Sequence, residues 1–405
     1  MILFYLLTYF VCGAYALLMI AYLIGWNRTQ VQSSIVNHQP STIISVIIPA
    51  RNEERSILNC LSAIYKQSYP VSHFEIIVVD DHSSDRTAEF IYQLDIPNLK
   101  LFQLSESQSG KKQAINEGIK NASGTLIITT DADCEMGEKW LSSIVSFYEK
   151  EKPKMIVAPV LLKENFLSEK EEKSFLYKMQ SQEMIALTAC ACASLYYNLP
   201  ILCSGANLIY EKEAFTSVNG FEGVDATATG DDVFLMLKMH EKYPKQIKYL
   251  KSNNAAVFTN PEKKISSVIA QRKRWASKTF HYGYSHVTWV AVLIFMANFF
   301  VFLSVPVAIG ISVINPVGYW FLSNGVNPEG IISNGINAKF ALALLTTLPI
   351  KSIVDYMLIN SANSFFNKRI HPFAFMLASL LYPVYASLLG LISPFTNYSW
   401  KGRKS

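Results

Sequence analysis

Three acidic stretches in this 405-residue chain combine residue types that hold cations and polar ligands: Pro49-Ala-Arg-Asn-Glu-Glu54, Asp80-Asp-His-Ser-Ser-Asp85 and Asp131-Ala-Asp133. Asp131 and Asp133 are two apart, so they face the same way if a strand continues through them. Two such carboxylates suit a hard divalent cation, Mg²⁺ or Mn²⁺. A cation there screens the charge of a diphosphate. Lys111 and Lys112, at an expected helix start, add positive charge beside it. Asp81 has the chemistry to accept hydrogen bonds from a nucleobase or ribose. Neither G-x-G-x-x-G nor G-x-x-x-x-G-K-[ST] occurs, so the two common glycine-rich phosphate cradles are excluded.

These stretches need a scaffold that brings them together, and the residues before each one supply it. Residues 43–48, 75–79 and 125–130 are short β-branched runs, as buried parallel strands require, and 99–104 is a further strand. Between them, 53–67 shows helical spacing with Ile57, Leu58, Leu61, Ile64 and Tyr65 on one face. A second helix is expected to start from Ser83 or Ser84 before Asp85, and a third spans 111–121. Alternating strands and helices predict an α/β fold with a mainly parallel sheet and right-handed crossovers. The acidic stretches then share the carboxyl edge of the sheet, where open α/β sheets bind ligands.

Charge is absent from residues 1–26 and again from about 287–314, whereas 41–285 carries nearly all the acids and bases. This distribution excludes a simple soluble globule, a disordered chain and a fibrous repeat. Residues 1–26 are long enough to cross about 30 Å of hydrocarbon as a helix. Arg28 follows it directly, which predicts a cytoplasmic polar domain. Further spans are expected at 289–314, 338–359 and 372–394. Within the third, Lys351 and Asp355 must face the protein interior, or the segment is re-entrant or interfacial. Lys368–Arg369 and Lys401, Arg403 and Lys404 make competing claims on the cytoplasm, leaving three or four spans and the side of the tail open.

The net charge of +5 is too small to imply nucleic acid as a partner. Six cysteines show no metal-ligand spacing and read as buried thiols. Asn27, Asn121 and Asn397 begin glycosylation sequons, but a cytoplasmic location predicts no glycan. Residues 262–280 read as an amphipathic interfacial helix, with Ile265, Val268, Ile269, Trp275 and Phe280 apolar. Taken alone, these readings imply a metal–nucleotide site at the cytoplasmic face of a membrane.

In order along the chain stand VIIPARNEE (46–54), IIVVDDHSSDRT (76–87), GKKQAIN (110–116), TTDADC (129–134), SGAN (204–207), GDD (230–232) and QRKRW (271–275). This series resembles the inverting family 2 glycosyltransferases of GT-A fold, hyaluronan and cellulose synthases and ceramide or lipid glycosyltransferases among them. The resemblance covers about residues 43–280. It implies that Pro49 and Glu53 shape a nucleoside pocket, that Asp81 contacts the base and that Lys111 approaches the diphosphate. It likewise implies that Asp131 and Asp133 form a DxD metal site, with Asp133 the more direct ligand. Asp232 matches the general base, Asp231 the acceptor side, and Gln271, Arg274 and Trp275 the QxxRW element over the diphosphate and acceptor sugar.

On this reading the chain divides into an N-terminal membrane helix (1–26), a GT-A domain (41–260), an interfacial helix (261–285) and a C-terminal membrane region (287–395). The expected activity is inverting sugar transfer from a nucleotide sugar, most commonly a uridine diphosphate sugar, to a membrane lipid or lipid-linked acceptor. The enzyme is expected in the cell membrane, multi-pass, with Mg²⁺ or Mn²⁺ as cofactor. Asp232 must be ionised to act; Asp231 beside it opposes this, and Arg272, Lys273 and Arg274 are expected to offset the repulsion. A processive polysaccharide synthase and a non-catalytic nucleotide-binding membrane protein are the alternatives.

Overall fold

The uncharged start of the chain forms one long helix, α1 (Ile2–Arg28). The β-branched runs that follow become β1 (Ile44–Ala50) and, after α2 (Ile57–Tyr65), β2 (Phe74–Asp80). Then come α3 (Thr87–Tyr92), β3 (Leu99–Gln103), α4 (Lys111–Lys120) and β4 (Leu126–Thr129). The next segment holds β5 (Glu135–Met136), α5 (Trp140–Glu151), β6 (Met155–Val157), β7 (Val160–Leu162) and the long α6 (Phe175–Tyr196). β8 (Leu208–Glu211), α7 (Lys212–Ser217), α8 (Asp231–Lys242), β9 (Ile247–Tyr249), β10 (Val257–Thr259) and α9 (Ile265–Ala276) complete the polar region. Three long helices follow: α10 (Ser285–Ser323), α11 (Asn334–Phe365) and α12 (Pro372–Ile392). This computed structural model describes residues 2–32, 42–164, 174–223, 230–277, 283–323, 334–392, 399–400 and 403–404.

The main sheet has seven strands in the order β3-β2-β1-β4-β8-β6-β9. β3, β2, β1 and β4 run parallel, β8 is antiparallel to both β4 and β6, and β6 and β9 are parallel. Their apolar runs are buried on both faces: Ile44, Val46, Ile47, Ile48, Ile76, Ile77 and Val78 have no exposed surface. The carboxyl ends of β1, β2, β4 and β6 share one edge. Because β8 runs the other way, its amino end joins them there. A three-stranded sheet, β5-β10-β7, flanks this edge.

Two local expectations are corrected. The first helix begins at Ile57, because Asn52 turns the chain into the left-handed region (φ 53°). Its inner face is Ile57, Cys60, Leu61 and Ile64, while Leu58 and Tyr65 are exposed. The second helix begins at Thr87, whose N–H donates to Asp85 Oδ1 (3.0 Å); Ser83 and Ser84 instead bond to Asn52. Phe280 lies outside the described residues.

Glu75 locks β2 to its neighbours. Its carboxylate accepts from Ser45 Oγ (2.6 Å), Ser123 N (2.6 Å) and Lys100 Nζ (2.7 Å). Burial works against its charge, but these bonds outweigh it and lower its pKa from 4.5 to about 2. A carboxyl held this far down contributes roughly 3 kcal/mol at neutral pH. That stability is present above pH 4.5 and is lost as pH falls toward 2. Glu75→Gln is therefore expected to lower the thermal midpoint at pH 7 by about 5 °C or more and to flatten its acid dependence. Melting curves of the purified protein at pH 7 and pH 3 measure this; an unchanged pH 7 midpoint contradicts it.

Three helices are long and apolar enough to cross a membrane among the described residues: Leu6–Arg28, Ser285–Ser304 and Pro372–Ile392. α11 lies beside α1 and α10. Its charged pair faces inward. Lys351 Nζ sits 2.6 Å from Asp355 Oδ2, and the Tyr15 hydroxyl donates to Asp355 Oδ1 (2.6 Å). The pair thus faces the protein interior, the first of the placements expected for it. Lys368, after α11, reaches Glu164 (3.0 Å) and so lies on the side of the polar domain. Lys251 ties that domain to α1 by donating to the Trp26 carbonyl (2.5 Å) while its ammonium lies over the indole ring.

Candidate active site

The loops after β1 and β2 are bound to each other before they present any group outward. Glu53 N donates to Thr87 Oγ1 (2.7 Å), Glu54 N to Asp85 Oδ2 (3.1 Å) and Arg51 Nη1 to the Asp81 carbonyl (2.6 Å). Asp85 is partly buried, yet bonds from Thr87 and Glu54 N hold its carboxyl below the usual range. Asp81 is buried, and its Oδ2 accepts from Gly110 N (3.1 Å) at the head of α4.

The next residue, Lys111, reaches across the strand ends to Asp131 Oδ1 (2.5 Å). Burial disfavours its charge. Asp131, Asp231 and Asp232 outweigh that effect and push its pKa above the ordinary lysine value. One ammonium therefore faces three carboxylates from two loops. Asp133 is held from the other side: Thr259 Oγ1 donates to its Oδ2 (3.1 Å), and Lys163 Nζ donates to its carbonyl (2.8 Å).

Gly230 sits in the left-handed region (φ 97°), where a side chain is strained, and turns the chain so that Asp231 and Asp232 open α8. Asp232 is fixed at both oxygens. Gly205 N donates to Oδ2 (2.9 Å), and Val233 N donates to Oδ1 (2.9 Å). Gly205 precedes β8 and reaches this edge because β8 is antiparallel. A Cβ on Gly205 would stand 3.3 Å from Lys111 Nζ and 3.6 Å from Asp232 Cβ, so this position lets the Asp232 carboxylate and the ammonium approach. Asn207 of the same SGAN stretch does something else: fully buried, it bonds the Pro159 and Ala255 carbonyls and accepts from Trp140 Nε1.

α9 covers the opening. Arg272 does not face the acids, contrary to expectation. It pairs with Glu183 of α6 (2.8 Å), bonds Gln271 and lies 4.1 Å over the Trp275 ring. It braces Trp275, and Lys111 takes the charge-balancing place beside Asp231 and Asp232.

The site residues expected from the sequence meet around one cavity of about 340 Å³. Pro49, Glu53, Asp81, Lys111, Asp131, Asp133, Asp231, Asp232, Gln271, Arg274 and Trp275 line it together. Sequence reading passed over Arg51, Gly205, Thr259 and Glu262, which also line it. Arg51 and Gly205 sit inside the quoted motifs; nothing in the linear pattern marks Thr259 or Glu262.

The donor set suits a hard cation. Asp131 and Asp133 offer oxygens, while burial, together with the neighbouring carboxylates, raises the Cys60 and Cys134 thiols above their usual range and keeps them protonated. Among the described residues no group of three or more His, Cys, Asp or Glu side chains forms a closed metal cage. Two carboxylates beside open volume fit Mg²⁺ or Mn²⁺, ions that commonly complete their shell with substrate phosphates and water.

The pattern of Glycosyl transferase family 2 matches residues 45–207. This stretch is a family 2 glycosyltransferase domain. A lipid-linked sugar transferase of Methanococcus voltae, dolichyl N-acetyl-alpha-D-glucosaminyl phosphate 3-beta-D-2,3-diacetamido-2,3-dideoxy-beta-D-glucuronosyltransferase, is 31% identical over 181 residues, 43% of this chain and 50% of that protein. The poly-beta-1,6-N-acetyl-D-glucosamine synthase of Staphylococcus epidermidis is 28% identical over 255 residues, 62% of this chain and 57% of its own length. The matches thus span about half the length of these relatives. The mannosyltransferase PcManGT of Pyrobaculum calidifontis, solved with GDP-Man and Mn²⁺, superposes with a TM-score of 0.54 at 15% identity, covering 97% of both chains. The family 2 domain therefore has the GT-A fold, with apolar helices before and after it.

Proposed function

We propose that the cavity transfers a sugar, with inversion, from a nucleotide-sugar donor to a membrane lipid or lipid-linked acceptor. The observation that carries the reading is the convergence of Asp81, Asp131, Asp133, Asp231 and Asp232 on one cavity with Lys111 among them. A uridine diphosphate sugar is the expected donor. The domain at 41–260 binds it, the 261–285 segment closes over it, and the apolar segments at 1–26 and 287–395 hold the enzyme in the cell membrane with its domain in the cytoplasm.

Asp81, with Pro49 and Glu53, receives the nucleoside. Asp131 and Asp133 would hold Mg²⁺ or Mn²⁺, which supplies positive charge against the diphosphate. Lys111 and Arg274 stabilise the negative charge that grows on the leaving diphosphate. The acceptor hydroxyl lies against Asp231 and Trp275. As its oxygen bonds to the anomeric carbon, Asp232 takes its proton, and the bond from that carbon to the diphosphate breaks. Membranes incubated with a panel of sugar nucleotides and extracted lipid, analysed by mass spectrometry, test the reading. A lipid gaining one sugar is the predicted product; nucleotide binding without sugar turnover contradicts it.

A processive synthase is the second reading, favoured by the similarity to the S. epidermidis protein over 62% of this chain. It predicts a ladder of long products in the same assay.

Gly205→Val offers a local check. Its side chain would displace Lys111 Nζ or Asp232. Sugar transfer is expected to fall about 10²-fold, as for an ångström-scale misplacement of reacting groups. Steady-state rates of a variant with an unchanged circular dichroism spectrum measure it; a wild-type rate contradicts the packing argument.

A further inference from the structure

Beside the donor cavity lies a second one of about 350 Å³, and its walls are mostly apolar. Leu187 and Ala191 come from α6; Val290, Ala291 and Ile294 come from the first turns of α10. Those turns belong to the stretch Ser285–Ser304, which is apolar enough to cross a membrane. The two cavities share Asp232, Trp275, Val160, Met184 and Ser204. Asp232 thus stands on their common wall, with the polar site on one side and the hydrocarbon-like chamber on the other.

Few polar groups in the chamber are free to bind a sugar. Thr188 Oγ1 already donates to the Val160 carbonyl (3.0 Å). Cys203 is a half-buried residue whose thiol is held above its usual pKa by desolvation and by Asp232 and Asp231. A glycan entering here would leave hydroxyls unsatisfied against apolar walls. A hydrocarbon chain would not. The buried Tyr249 hydroxyl, without a hydrogen-bond partner among the described residues, is available to a ligand oxygen at the head of such a chain.

We propose that this chamber binds the hydrocarbon segment adjoining the reacting head of a lipid acceptor, placing the head hydroxyl against Asp232. The inference rests on the sugar-transfer reading and assigns its acceptor site. It also explains why the base sits beside a membrane helix: the acceptor's head reaches Asp232 while its chain stays next to the hydrocarbon of the bilayer.

The test uses the full chain in phosphatidylcholine nanodiscs with dodecyl phosphate carrying a diazirine in its chain. After irradiation, peptides are mapped by mass spectrometry. Adducts are expected on Leu187, Ala191, Val290, Ala291 or Ile294. Ala291→Phe, which fills the chamber, is expected to reduce them about tenfold. On the unmodified chain, excess dodecyl phosphate should suppress these adducts and ethyl phosphate should not. Adducts confined to outward residues such as Trp289 and Phe373, or equal suppression by both phosphates, overturn the proposal. Release of nucleoside diphosphate from the donor panel is measured on the same preparation. Release with an unlabelled chamber defeats the chamber alone; a labelled chamber without release on any donor defeats the sugar-transfer reading instead.

Discussion

Asp232→Asn is expected to lower the rate of sugar transfer about 10²- to 10⁴-fold, the contribution of a positioned general base. Asparagine keeps the shape of aspartate and an oxygen for one of the two N–H groups, of Gly205 and Val233, that hold this side chain. It cannot take the acceptor's proton. The loss should therefore fall on kcat, while donor affinity stays near that of the unmodified protein. Isothermal titration with the donor and steady-state initial rates separate these effects. A wild-type rate in the variant assigns the proton to another group.

Lys111→Met is expected to reduce transfer at pH 7 by about 10²- to 10³-fold, in the range found when one electrostatic stabiliser of a transition state is removed. Two effects add. The leaving diphosphate loses a cation, and Asp131, Asp231 and Asp232 lose the ammonium they share. Lys111→Arg restores the charge without the same reach and should recover part of the lost rate. A wild-type rate in Lys111→Met contradicts the three-carboxylate arrangement.

Much of this arrangement was legible in the linear sequence, for identifiable reasons. β1, β2 and β4 are continuous β-branched runs buried on both faces, a pattern that marks parallel strands without any partner being known. Polar loops after such strands must share an edge, which is why Asp81, Asp131 and Asp133 could be grouped before their distances were known. The short strands from β5 to β10 have two to four residues each and carry no period long enough to read. Missing β8 meant missing Gly205, whose place at the site depends on that strand running backwards.

Charge pairing was the least legible property. Arg272, Lys273 and Arg274 look equivalent in sequence, yet Arg272 points into α6 and finds Glu183, a residue 89 positions earlier. The ammonium that faces Asp231 and Asp232 belongs to Lys111, from the opposite side of the cavity. The second cavity was hidden for a similar reason. Met184, Leu187, Thr188 and Ala191 recur at i, i+3, i+4 and i+7, an ordinary buried face until α10 is placed opposite it. In contrast, the cost of Lys351 and Asp355 in an apolar segment narrowed their placement in advance to the protein interior or a segment that does not fully span, and the structure shows the pair facing inward.

The configuration of the product tests the central claim most directly. With a donor of known anomeric configuration, the glycosidic linkage formed by the purified enzyme is read from its proton coupling in the nuclear magnetic resonance spectrum. Direct attack by a hydroxyl that Asp232 deprotonates predicts the opposite configuration at the anomeric carbon. Retention of the donor's configuration would contradict a single displacement at this site.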